Sequence, residues 1–230
     1  MYSSPNLVEI ATLIGDPSRI AILINLIDGK ALPASELARC ARITPQTASS
    51  HLAKLVEGQL LVCESYGRHK YYRLASPDVA HALEALSVIA NPAPVRSLRE
   101  SDQLKQLQYC RTCYDHLAGT VGVALTERLL ALQYLEESGR DFALLPEGKR
   151  HLHDFGVNVE GKPKSRRHFA RQCLDWSERR HHLAGSLGAS LTDRLFALKW
   201  IERQPAGRAA RLTAAGREGF AAEFGLVLPS

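Results

Sequence analysis

Apolar residues recur at helical spacing over Leu7–Ile14 and again over residues 19–27. The second segment opens with Asp16-Pro17-Ser18, an acidic cap followed by a proline suited to a first helical turn, and Gly29 ends it. A short helix is expected over residues 34–41. Thr44 suits a cap and Pro45 the first position of a further helix, which should run from Pro45 to about Glu57 and stop at Gly58. Residues 60–65 and 71–74 are short β-prone runs joined by Tyr66-Gly67-Arg68-His69-Lys70, which predicts a hairpin with a basic tip. Ser76-Pro77-Asp78 then caps a helix over residues 79–90, with Val79, Leu83, Leu86 and Ile89 sharing its apolar face. Asn91-Pro92-Ala93-Pro94 disfavours helix, so a domain boundary is expected there, dividing the chain into residues 1–92 and 93–230.

The second part repeats itself. Residues 116–136 (HLAGTVGVALTERLLALQYLE) and 182–202 (HLAGSLGASLTDRLFALKWIE) share 12 identities in 21 positions. The similarity continues more weakly through Phe155-Gly156 and Phe224-Gly225, which defines copies of about residues 104–157 and 170–226. Each copy reads as helix, helix, short hairpin, helix, with leading helices over residues 104–118 and 167–184. Two units are too few for a solenoid. A pseudo-two-fold pair is expected instead, with a cleft on its axis as a ligand pocket. The fold class predicted is mainly α with small β-hairpins (α+β): a winged helix-turn-helix followed by a duplicated helix–hairpin–helix domain.

Composition narrows the function. Of 230 residues, 45% are hydrophobic and 23% charged, which excludes disorder as the main state. No apolar run reaches the roughly 20 residues of a membrane span, and MYSSPNLVEI has neither a basic leader nor an apolar signal core, so a cytoplasmic location is expected. The net charge of +5 permits contact with nucleic acid without requiring it. Five cysteines, an odd number in a chain of this size, argue for reduced thiols over a disulfide framework.

The segments Asp16-Pro17-Ser18-Arg19-Ile20, Ser35-Glu36-Leu37-Ala38, residues 44–55 (TPQTASSHLAKL) and residues 67–74 (GRHKYYRL) occur in the order of a winged helix. Over about residues 5–90 the chain resembles the ArsR/SmtB family of winged-helix repressors. The resemblance implies a homodimer on double-stranded operator DNA, built on the first and last helices of the domain and released by an inducer. The residues themselves fit that expectation. Capped by Thr44, the helix offers short polar side chains at Gln46, Thr47, Ser49, Ser50 and His51 for base edges, and Lys54 for phosphate. Arg68, His69 and Lys70 suit backbone or minor-groove contact. Neither metal site usual in the family is clear in this sequence: residues 32–38 hold no thiol, and Asp78 and His81 lack the expected downstream partners. The isolated Cys40 and Cys63 read as small core residues.

A sensing site is therefore sought in the extension. Cys110, Cys113 and His116 are placed on one helix surface, and Cys173, His181 and His182 can complete a soft-ligand set. Four readings stand at this point: packing, a thiophilic metal or metalloid ion, thiol redox chemistry favoured by Arg111, and a small organic inducer near Tyr109, Tyr114, Trp176 and Trp200. His151 and His153 read as a solvated face, and the basic run at residues 162–168 as a linker or a phosphate contact. The sequence holds no phosphate loop, no G-x-S-x-G elbow and no H-E-x-x-H pair. An effector-released, DNA-binding transcriptional repressor, not an enzyme and with no membrane partner, is the expected function. The alternative is an enzyme or a ligand-free scaffold in which the winged helix is a structural module.

Overall fold

The computed structural model describes residues 6–91, 94–95, 97–160, 168–204 and 207–229. The basic run at 162–167 lies outside them. The chain divides into two compact units, Met1–Leu83 and Glu84–Ser230. The division falls inside a helix, earlier than the proline-rich segment where the sequence suggests a boundary.

The first unit begins with α1 (Leu7–Ile14) and α2 (Pro17–Asn25). Asp16 caps α2 by accepting the Ser18 and Arg19 amides, each at 2.9 Å. The Arg19 guanidinium turns back to donate to the Leu13 and Thr12 carbonyls at 2.6 and 2.8 Å, satisfying acceptors that the end of α1 leaves open. Strand β1 (Leu32–Pro33), helices α3 (Ala34–Cys40) and α4 (Pro45–Glu57), and the hairpin β2 (Leu61–Tyr66) with β3 (His69–Leu74) follow. The sheet order is β1-β3-β2, antiparallel. Ile22, Leu23, Leu26, Leu37, Leu52 and Leu55 are fully buried in the core of this unit.

Two details differ from the sequence reading. The hairpin connection shrinks to Gly67-Arg68, since Tyr66 already pairs with His69 and Ser65 with Lys70. Gly67, at φ +60°, occupies the first turn position, where glycine matches the twist of the strands without strain. Past α4 the left-handed residue is Gln59, φ +56°, and Gly58 serves another need: a Cβ there would lie 2.2 Å from Leu13 Cδ1.

Helix α5 (Pro77–Ile89) crosses the division between the units. Its Glu84, the first residue of the second unit, is buried and ion-paired with Arg208 within that same unit. Helix α6 (Leu98–Tyr109) comes next. Then one succession occurs twice: β4 (Arg111–Cys113), β5 (His116–Ala118), α7 (Gly119–Ala131), β6 (Leu135–Ser138), β7 (Asp141–Leu144), α8 (Pro146–Asp154); and β8 (Arg171–Leu174), β9 (His181–Ala184), α9 (Gly185–Ala197), β10 (Ile201–Arg203), β11 (Ala210–Leu212), α10 (Ala214–Phe224). The leading helices expected over 104–118 and 167–184 are thus corrected. The first ends at Tyr109, and hairpins replace the rest of it and the whole of the second.

The hairpins form because their partners come from the other segment. The Ala210 amide donates to the Cys110 carbonyl at 2.9 Å, beside β4, and the Phe142 amide to the Ala170 carbonyl at 2.8 Å, beside β8. Each leading hairpin thereby extends the later hairpin of the opposite segment. Gly119 and Gly185 follow these hairpins with φ +78° and +84°, and a Cβ on either would meet a carbonyl oxygen, of Gln108 or Phe169, at 2.5 Å. Between the segments lies a crevice lined by Leu117, Leu125, Leu129, Leu183, Leu191 and their neighbours, with room for about one water molecule. Where the sequence suggests a ligand cleft, α7 packs on β9 and α9 on β5, leaving only this small space.

Candidate functional site

Two groups of polar side chains stand out, one in each unit. In the first, the Thr44 side chain caps α4 by accepting the Thr47 amide at 3.2 Å, and the two hydroxyls lie 2.8 Å apart. Ala48, Leu52 and Leu55 turn into the core, which leaves Gln46, Thr47, Ser49, Ser50 and Lys54 exposed on the opposite face. His51 departs from this row. It is half-buried, with Nδ1 3.5 Å from Arg19 and Nε2 3.9 Å from Asp16 Oδ1, so it packs against the start of α2. On the wing, Arg68, His69 and Lys70 are all exposed. An open groove runs between helix and wing, lined by Ser49, Ala53, Arg68, His69, Lys70 and Tyr72. Cys63 is exposed on β2 at the same groove, and its strand position aims it outward instead of into the core.

In the second unit, the predicted thiols and imidazoles come together on hairpins instead of a helix. Cys113 pairs directly with His116 across β4–β5, and Cys173 with His182 across β8–β9. Side chains so paired share one face of a hairpin. The Cys113 and Cys173 sulfurs lie 3.9 Å apart and the imidazole centroids 5.1 Å apart. One ligand atom from each of the four lies within 4.8 Å of the others. Three of the side chains are buried and Cys173 is half-buried.

Cys110 stands outside this group, in the apolar core with Leu117 and Val121. Burial pushes its thiol up to about 12, against a smaller opposing effect of Arg111. Hydrogen bonding to Cys173, then burial, pushes the Cys113 thiol up to about 12. The pull of Arg111 toward a thiolate is thus outweighed by burial. Burial opposes charge on both histidines, yet Cys113 and Asp115 raise His116 above its ordinary value, and Asp175 and Cys113 raise His182.

Asp175 is the residue that sequence reasoning misses. Wholly buried, it accepts from Arg111 Nη2 at 2.8 Å, the Gly119 amide at 2.7 Å, the Ser177 amide and hydroxyl at 2.9 and 2.7 Å, and the Glu178 amide at 3.1 Å. Its Oδ2 lies 3.4 Å from His182 Nδ1. Burial would raise this carboxyl, but His182 and Arg111 outweigh it and hold the group well below the usual carboxylate range. Arg111 is fully buried, its guanidinium 4.6 Å over the Trp176 ring. The sequence carries one signal of this region: Arg-x-Cys precedes His-Leu-Ala-Gly in both segments, with two residues between Cys113 and His116 and eight between Cys173 and His182. The unequal gap hides it from an ungapped alignment of the repeats.

Trp200 packs with Phe155, Phe220 and Phe224 at ring separations of 5.3–6.5 Å, and Tyr109 donates to the Pro229 carbonyl at 2.5 Å. His153 is exposed, whereas His151 stacks on Tyr134 at 4.6 Å with Nε2 3.0 Å from Glu223.

The helix-turn-helix domain family HTH_20 matches residues 14–64, the span from the end of α1 into the wing. The HTH-type transcriptional regulator YdfF of Bacillus subtilis (strain 168), itself uncharacterized, is 48% identical over 217 residues, covering 94% of this chain and 96% of that protein. The chain belongs to the HTH-type transcriptional regulators. Among solved structures the regulator is similar to NolR from Sinorhizobium fredii, at 24% identity over 40% of this chain and 100% of that one, TM-score 0.35. It is also similar to the cadmium metal-sensor CMTR from Mycobacterium tuberculosis, at 28% identity over 40% and 99%, TM-score 0.32. In this regulator α3, the turn and α4 form the helix-turn-helix and β2–β3 its wing. Among the described residues no helix is long and apolar enough to cross a membrane.

Proposed function

We infer that the protein is a homodimeric, cytoplasmic repressor of the ArsR type, with residues 1–92 binding operator DNA and residues 93–230 a duplicated sensor domain. The observation that carries the DNA reading is the exposed polar face of α4 beside the basic wing: Gln46, Thr47, Ser49 and Ser50 are of the size and chemistry to meet base edges. Lys54, Arg68, His69 and Lys70 suit the flanking backbone, fixing register without reading sequence. Dimerisation is supported by Leu7 and Val8 on α1 and Ile89 on α5, which are 72, 76 and 77% exposed and are large apolar surfaces that a second copy would cover. Two recognition helices then fit successive major grooves about 34–36 Å apart.

The effector acts in the second unit, at Cys113, His116, Cys173 and His182. A change in the hairpins β4–β5 and β8–β9, which lead straight into α7 and α9, shifts the dimer between geometries that do and do not match the operator. The test is binding of the full-length protein to the DNA upstream of its own gene. Replacing Gln46 and Ser49 by Ala should weaken specific binding at least tenfold with an unchanged melting temperature. Unchanged affinity in that double variant would overturn the recognition-helix assignment, and absence of any DNA binding by the parent protein would reopen the enzyme and scaffold readings.

A further inference from the structure

We propose that Cys113, His116, Cys173 and His182 form a closed tetrahedral site for one divalent cation of the zinc class, joining hairpin β4–β5 to hairpin β8–β9. The coordination stands on geometry; only its regulatory consequence rests on the reading of the second unit as the sensor.

Each hairpin contributes one sulfur and one nitrogen from residues directly opposite each other, so strand pairing alone organises half of the site. A tetrahedral zinc with Zn–S bonds of about 2.3 Å sets its two sulfurs about 3.8 Å apart. The observed separation of 3.9 Å matches that edge and is far from the roughly 2.05 Å of a disulfide. All four ligand atoms fall within 4.8 Å of one another, so small rotations close the set.

The surroundings of His182 argue against plain packing. Both its ring nitrogens are buried without a well-formed hydrogen bond, a costly arrangement for an imidazole with no further ligand. Asp175 Oδ2 lies 3.4 Å from its Nδ1, and Asp115 Oδ1 lies 3.4 Å from Nδ1 of His116. A carboxylate on the Nδ1 side is the usual way to orient a metal-bound histidine, and it leaves Nε2 of each ring as the ligand. Arg111, Gly119, Ser177 and Glu178 hold Asp175 in place for that role.

Two sulfurs and two nitrogens in a tetrahedron select zinc over hard cations such as magnesium or calcium. On binding, the two thiol protons and any proton carried by either imidazole leave to solvent as two metal–sulfur and two metal–nitrogen bonds form, so cation, two thiolates and two neutral imidazoles sum to zero charge. A neutral centre suits a buried position. Four protein ligands leave no open position for catalysis, which fits a site that locks two hairpins together.

The experiment uses the full-length protein, reduced and stripped with a chelator, with Co2+ as the probe. One equivalent should bind per chain, giving tetrahedral d–d bands and a thiolate-to-cobalt charge-transfer band, both abolished by one equivalent of Zn2+. Cys113→Ser and Cys173→Ser should each halve the charge-transfer band and weaken binding by about 100-fold or more, whereas Cys110→Ser should leave both unchanged. Failure of the folded parent protein to bind, or spectra unaltered in Cys113→Ser and Cys173→Ser, overturns the site. So does loss of two thiols to a Cys113–Cys173 disulfide in a protein that takes up no metal. Operator binding is measured in parallel. Metal uptake without any change in DNA affinity upholds the site and sinks the sensor reading, while DNA binding by a protein that takes no metal sinks the site alone.

Discussion

The Thr126 hydroxyl oxygen accepts the amide of Leu183 at 2.9 Å, and at the reciprocal position Thr192 accepts the amide of Leu117, also at 2.9 Å. Both threonines are buried in mid-helix and also donate to the carbonyl four residues before, Gly122 or Gly188. Each hairpin is thereby anchored to the central helix of the opposite segment, and the four thiol and imidazole groups meet where the two hairpins come together. Replacing either threonine by valine keeps the shape but strands a buried amide, which should cost about 1–3 kcal/mol. Urea denaturation of Thr126→Val and Thr192→Val should show similar losses; a loss in one and none in the other would show that only one anchor matters.

Asp175 and Arg111 are both wholly buried, and each neutralises the other. Breaking such a pair from one side leaves an uncompensated charge, with a penalty of about 3–5 kcal/mol. Asp175→Asn should therefore lower the melting temperature of the full chain markedly. A variant as stable as the parent would show that the remaining acceptors, the Leu107 carbonyl and the Ser177 hydroxyl, suffice to hold Arg111.

On the DNA side, Arg68→Ala and Lys70→Ala should weaken specific and non-specific sequences alike. Removing one phosphate-binding cation reduces the slope of log affinity against log salt by about 1. Gln46→Ala should leave that slope unaltered while narrowing the gap between operator and random DNA. Titrations at several salt concentrations distinguish the two behaviours.

Asp16 sets a pH dependence in the first unit. The Arg19 amide is the largest influence holding its carboxyl below the ordinary value; burial opposes this, and the charges of Arg19 and His51 assist. A carboxyl lowered in the folded state adds stability above the unfolded carboxylate range, and that stability is lost as pH falls through this range and below it. Asp16→Ala should remove the cap, costing about 1 kcal/mol at neutral pH. The difference between variant and parent should shrink on acidification, which denaturation at neutral and acidic pH would reveal.

Where local chemistry settles conformation, the sequence is sufficient. Asp16-Pro17 and Thr44-Pro45 begin α2 and α4 where their capping chemistry places them, and α1 and α4 span the expected residues. The wing follows from two β-prone runs around Gly67, although pairing brings Tyr66, His69 and Lys70 into its strands. Segments 111–118 and 171–184 read as helix in the sequence because three or four residues of strand carry no periodicity long enough to distinguish it from a helical turn.

The sequence by itself determined the helix-turn-helix, the wing, the exposed polar row on α4 and the recurrence of the two later segments, since caps, turns and side-chain spacing act over a few neighbouring residues. Only the tertiary structure decided that Cys113 and His116 belong with Cys173 and His182, that Cys110 does not, and that Asp175 stands behind them. Those relationships join strands more than fifty residues apart, through amides whose partners lie in the opposite segment. No local preference encodes such pairings; they exist because the buried backbone of each hairpin must find its hydrogen bonds somewhere, and the other segment supplies them.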